Sequence, residues 1–236
     1  MTQWKELERQ FTQQLSMARR PVAVTFLDAE PAGIPKFAGT EPSGCSFWRL
    51  AADGRVFYTV PSDHFNCAVG AYTHNVQLPP ERVLETEATL GMMFNLGYLR
   101  PEEVPGIPQL PKQPAATVYA PLADAPVAPG VVLFTCRVTS AMLLQEAAIR
   151  AGAGTTLPVL GRPTCMALPA ALLHGTVSSL GCIGNRVYTD VGPDELYIAV
   201  PGPKLESVAE ALSVIISANT ALEEYAHGRR DSLATI

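Results

Sequence analysis

The chain reads as an α/β protein of the mixed α+β kind, a mixed sheet with helices packed on it. Three features of the sequence point there. Segments with helical periodicity alternate with short runs rich in Val, Thr, Phe and Tyr along all 236 residues. Hydrophobic residues make up 47% and charged residues 17%, the balance of a globular chain long enough to bury a sizeable core. Proline and glycine clusters punctuate the boundaries between these runs. One domain over residues 1–236 accommodates the whole pattern, with two pseudo-repeated halves at about 1–110 and 111–236 as a subdivision.

Trp4, Leu7, Phe11, Leu15 and Ala18 recur at helical spacing, which predicts an amphipathic helix over 3–18 ended by Arg19, Arg20 and Pro21. PVAVTFLD is a short strand and AEPAGIPKFAGTEPSG a loop. SFWRLAADG makes a helical turn or two closed by Gly54, and RVFYTVP is a second strand running into SDHFNCAVGAYTHN. PPERVLETEATLGMMFNLG opens a helix with prolines at its first turn and acids early, and breaks near Gly91. Its Met92, Met93 and Phe94 read as core filler. Residues 101–116 hold five prolines and connect to the strand ATVYAPL. GVVLFTCRV is a stronger strand with poor alternation, hence buried on both faces, and Cys136 within it reads as a core thiol. SAMLLQEAAIRAG is a helix closed by Gly152, and a short helix ends at His174–Gly175. RVYT and ELYIAV read as short extended segments. GPKLESVAEALSVIISANTALEEYAHG is the longest helix, with Leu205, Val208, Leu212, Ile215, Ile216, Asn219 and Leu222 as its inner face and RRDSLATI as a loosely held tail.

Net charge is −5 and the pI about 5.4, with no basic run, so nucleic acid is not an expected partner. No apolar stretch reaches the ~18 residues of a spanning helix, and the charged N-terminus lacks a signal-peptide core. The expectation is a cytoplasmic protein with no membrane partner. Five cysteines, an odd number with no CxxC pair, do not make a secreted disulfide framework. There is no GxGxxG after a strand, no Walker A loop, no HExxH and no GxSxG.

The chemistry concentrates in the thiols. Cys182 stands between Gly181 and Gly184, with Arg186 four residues on, a setting that favours a thiolate and lets backbone amides approach it. Cys45, Cys67, Cys165 and Cys182 all sit beside Gly or Pro at loop ends, as SGC, FNCAVG, RPTC and LGCIG, and Cys136 does not. Four thiols are what a structural zinc or an iron–sulfur cluster requires, although no two are close in sequence. In the cluster reading those four are the ligands, Gly70, Gly181 and Gly184 open the backbone to the sulfurs, and Arg186 balances their charge. The role is then electron transfer or sensing with a redox partner, or chemistry on a small-molecule substrate where one iron is open. The rival readings are a metal-free thiol redox enzyme with Cys182 as nucleophile and Cys67 or Cys165 resolving it, and a module binding a small molecule or non-covalent haem through His64 or a cysteine. His64 and His74 flank Cys67 and read first as solvent-facing loop residues, with a metal ligand or a base toward Cys67 as the alternative for either, while His174 suits a helix C-terminus. NCAVGAYTHNVQLPPE and GCIGNRVYTDVGPDE echo one another, and a further cysteine precedes each, Cys45 and Cys165, which fits a duplicated unit with two thiols per half. Oligomeric state is open.

CSFWRLA, HFNCAVGAY, RPTCMALP and SLGCIGNRVYTDVGPDELYIAVPG, followed by the final long helix, resemble the DUF169 family of uncharacterised bacterial and archaeal proteins from about Pro21 to about Leu222. The Cys182–Arg186 element with the following DELY and VPG is the most specific part. The resemblance implies recurring cysteines at Cys45, Cys67, Cys165 and Cys182 and an arginine at Arg186, and leaves Cys136 outside the set. Ala68 departs from the proline or other small residue expected after Cys67. The family implies no activity.

Overall fold

The computed structural model describes residues 3–234. Six strands among them form one sheet: β1 (Val22–Leu27), β2 (Phe57–Thr59), β3 (Ala116–Pro121), β4 (Val131–Arg137), β5 (Val177–Ser179) and β6 (Glu195–Pro201), in the order β2-β3-β1-β4-β6-β5. Every strand pairing is antiparallel. Helices are α1 (Gln3–Gln14), α2 (Ser46–Ala52), α3 (Ala68–Thr73), α4 (Pro80–Asn95), α5 (Val138–Arg150), α6 (Ala167–His174), α7 (Ile183–Thr189) and α8 (Leu205–Ala234).

The run VVLF that opens β4 is apolar throughout because both faces of the sheet are covered. Val131 and Leu133 enter one core, and Val132, Phe134 and Cys136 enter the other, as the two-residue period of a strand demands. The second core is closed by α1, α5 and α8, where Phe11 meets Phe134 edge-on at 4.9 Å. Fully buried leucines there, Leu144 and Leu212, each contribute about 2 kcal/mol of burial. The first core is closed by α2 and α6, and is dominated by rings: Phe47 against Tyr119 at 5.5 Å and Trp48 against Tyr197 at 5.5 Å.

The sheet order is a palindrome. Read from the left edge it runs β2, β3, β1; from the right edge it runs β5, β6, β4. Each half supplies a short edge strand, a second strand and a central strand, and the central pair β1 and β4 join antiparallel. The chain order matches as well: β1, α2, β2, α3, β3 in one half and β4, α6, β5, α7, β6 in the other. The topological divide falls between β3 and β4, so the proline-rich stretch 101–116 lies within the first half.

Several local expectations are corrected. RVYT belongs to α7, because the Arg186 amide bonds the Cys182 carbonyl at 3.0 Å and closes a helical turn. The strand preference of Val187, Tyr188 and Thr189 loses to that anchoring. α4 runs through Gly91 to Asn95, at a cost of about 1 kcal/mol for a glycine in an open helix. It has no buried residue, and Met92 is 54% exposed, so its Met-rich stretch does not fill a core. Arg229 to Ala234 continue α8 instead of forming a loose tail, and Thr235 and Ile236 lie outside the described residues. Leu222 is 63% exposed, so the inner face of α8 ends before it. α8 with its preceding turn also has the length and apolar content of a spanning segment, with mean hydropathy 1.2 in its most apolar window, while its first half packs on α1 and α5.

Candidate functional site

The helix–strand–helix units of the two halves leave a cavity of about 340 Å³ on the sheet face covered by α2 and α6. Cys45, Cys67, Cys165 and Cys182 all line it, and Cys136 is on the opposite face of the sheet. Each thiol sits where a helix begins. Cys45 precedes α2, and its Sγ is 3.0 Å from Ser43 Oγ. Cys67 precedes α3, and its Sγ accepts the Gly70 amide at 3.2 Å. Cys165 lies in the 3-10 turn that enters α6. Cys182 precedes α7, and its amide donates to Thr164 Oγ1, tying the two thiol loops of the second half together. The palindrome therefore gathers four distant loops, two from each half.

Cys45 and Cys165 are buried, and Cys67 and Cys182 are partly open to solvent. Burial pushes the Cys45 thiol up to about 11, against the pull of Ser43 and Asn185. Burial also pushes Cys165 well above the ordinary thiol range, helped by the charge of Cys67 and opposed by Thr73. In each case one of the groups opposing the rise belongs to the other half: Asn185 of α7 for Cys45, and Thr73 of α3 for Cys165. Without a bound ion both remain protonated at neutral pH.

The glycines and Arg186 take distinct positions. A Cβ at Gly70 would stand 3.1 Å from Cys67 Sγ, so a side chain there would crowd the sulfur that the amide approaches. Gly184 lines the cavity. Gly181 has φ +79° and turns the chain into Cys182. The Arg186 guanidinium is not among the lining groups. It donates to the carbonyls of Gly192 at 2.7 Å, Glu195 at 3.0 Å and Leu180, and so fixes the loops that carry Cys182.

His64 and His74 are corrected outright: they are 3% and 1% exposed, not solvent-facing. Their rings stack edge-on at 5.3 Å behind α3, and neither lines the cavity. Among the described residues no three His, Cys, Asp or Glu side chains converge on one point as ligands of a single ion.

Sequence reasoning missed Thr164, Asn185, Tyr98, Arg162 and Met93, which also line the cavity. Asn185 was visible inside CIGNR, between two residues already singled out. Met93 carried no signal, because only the fold shows that one side of α4 borders a cavity.

The accessibility difference predicts an ordered labelling. In metal-free protein a thiol-specific reagent should modify Cys67 and Cys182 first, and Cys45, Cys165 and Cys136 only as the protein unfolds. Peptide mass mapping against time reads this out, and Cys136 reacting as fast as Cys182 would contradict the two-faced placement.

The DUF169 model, Uncharacterised ArCR, matches residues 10–211. The uncharacterised protein MJ0308 of Methanocaldococcus jannaschii is 28% identical over 212 residues, covering 84% of this chain and 89% of its own. No solved structure matches the chain. The matched span contains all six strands and all four cavity thiols, and the chain belongs to the DUF169 family.

Proposed function

We propose that Cys45, Cys67, Cys165 and Cys182 hold a metal centre, an iron–sulfur cluster ahead of zinc, and that the protein serves electron transfer or sensing in the cytoplasm. One observation carries this: four thiols from four separate loops line a single cavity, while the fifth cysteine is on the far side of the sheet. Four thiols with no other ligand type suit an iron–sulfur cluster or a structural zinc, and the cavity of about 340 Å³ that they line has room for a polynuclear cluster. The Gly70 amide at Cys67 Sγ is the kind of contact that tunes a cluster's potential. Arg186 acts by ordering the Cys182 loop. Protons must leave the buried thiols for any metal to bind, so loading favours higher pH.

The test is a visible spectrum of protein purified without oxygen, with iron, acid-labile sulfide and zinc assayed on the same sample. A broad charge-transfer band with iron and sulfide is expected, lost in Cys182→Ser and kept in Cys136→Ser. Equal retention in both variants removes the four-ligand assignment. Colourless protein with zinc makes the centre structural, a Soret band supports haem, and colourless metal-free protein with a reactive Cys182 supports the thiol enzyme.

A further inference from the structure

The cavity extends past the thiols. Its outer wall is one side of α4, where Thr86, Thr89 and Met93 fall at helical spacing, facing a rim that includes Tyr98, Ile107 and Tyr188. α4 has no fully buried residue, so the side it turns toward the protein borders a cavity and not a core. The walls expose mostly carbon. The cavity's volume is at the lower end of the range of small-molecule sites, roughly 300–1,000 Å³, which suits a ligand built on one ring system.

Charge selects among such ligands. Two charged side chains line the cavity, and both are already matched by groups outside it. Glu85 pairs with Arg82 at 2.7 Å. Arg162 pairs with Glu103 at 3.3 Å and lies over the Tyr98 ring at 5.0 Å. The Glu85 and Arg162 side chains are 64% and 39% exposed, so both charges stand toward solvent, and an ionic ligand in the apolar interior would lie without a counter-charge, which is costly. An uncharged ligand does not meet that penalty.

We propose that the outer part of the cavity binds a small, uncharged, largely apolar organic molecule beside the thiols, with α4 as its cover. The inference deepens the thiol reading by giving that centre a substrate class; it rests on that reading for the chemistry and on the cavity alone for binding. The test is saturation-transfer NMR on the purified protein with toluene, benzoate and benzylammonium, three probes of one shape and different charge. Toluene should receive saturation and the two ions should not. Met93→Trp and Thr89→Trp should each abolish the toluene signal by filling the cavity, while Thr220→Trp on exposed α8 should leave it intact. Stronger transfer to either ion, or a toluene signal that survives both cavity substitutions, overturns the proposal. The charge comparison needs no variant, so a misfolded variant does not remove the test. Iron and sulfide assayed on the same sample separate the two readings: a loaded centre without toluene binding overturns this inference alone, and toluene binding to metal-free wild-type protein overturns the centre and leaves the inference standing.

Discussion

Lowering the pH from 7.5 to 5 should remove about 4 kcal/mol of folding stability through two histidines alone. His64 and His74 are enclosed between α3, β2 and the rings of Phe26 and Phe47. Burial drives His64 down to about 3, with the charge of His74 adding to it, and drives His74 down to about 4. Both are neutral in the folded state, whereas in the unfolded chain each takes up a proton near pH 6.5. The stability they carry is complete above pH 6.5 and is lost as pH falls below it, through about 4 and about 3. Because pH 5 lies above both folded-state values, the loss there depends only on the unfolded value and comes to about 2 kcal/mol per ring. Their surroundings offer no relief. His64 Nε2 reaches Thr59 Oγ1 at 2.9 Å, its Nδ1 and both nitrogens of His74 have no hydrogen-bond partner among the described residues, and the Asp63 carboxylate is turned to the Val60 amide. Urea denaturation at the two pH values reads the effect. His74→Phe should remove about half of the loss, since a phenyl ring cannot be protonated in either state. An equal loss in wild type and variant would show that the sensitivity lies elsewhere, in the surface ion pairs that also titrate.

These two rings show where a sequence stops being informative. Nothing in HFNCAVGAYTHN distinguishes a buried imidazole from an exposed one, because the burial comes from groups outside that stretch: β2 just before it, and β3, Phe26 and Phe47 farther off. What periodicity can report, it did report. α5 and the first half of α8 follow from apolar spacing, since each buries a face defined by its own residues, and β4 follows from an apolar run buried on both faces. The four thiols were separable from Cys136 by their glycine and proline neighbours, and those neighbours mark the turns that start α2, α3, α6 and α7. Their convergence was legible only as the echo between the Cys67 and Cys182 segments. It takes the palindromic sheet to turn that echo into one cavity. The divide at β3–β4 was missed because the proline-rich stretch looked like a boundary, whereas the sheet continues past it into β3.

Replacing Gly202 with alanine should cost more than about 4 kcal/mol, the range reached only when a fold is pushed apart from within. A Cβ at Gly202 would lie 1.7 Å from the Pro129 carbonyl oxygen and 2.6 Å from its carbon. Both contacts are backbone, so no side chain can swing aside. The Gly202 amide also donates to the Gly130 carbonyl at 2.8 Å, immediately beyond the Val131–Pro201 pair that ends the β4–β6 ladder. Admitting the methyl group means separating those two chains, opening the end of the ladder and displacing the fully buried Leu205 at the start of α8. The VPG that closes the segment resembling DUF169 thus has a packing explanation and needs no chemical one. Gly228 makes the matching control: nothing stands within 4 Å of its Cβ position in exposed α8, and alanine there should stabilise by up to about 1 kcal/mol. Chemical denaturation of the two variants decides the matter, and equal midpoints would refute the steric account. The damage at Gly202 should also reach the thiols. β6 carries Tyr197, whose hydroxyl accepts from Asn185 Nδ2 at 3.3 Å and bonds Thr189 Oγ1 at 3.0 Å, holding α7 in place beneath the cavity. A shifted β6 displaces Asn185 at the cavity wall, so, on the metal centre proposed above, the alanine variant should load less metal than wild type.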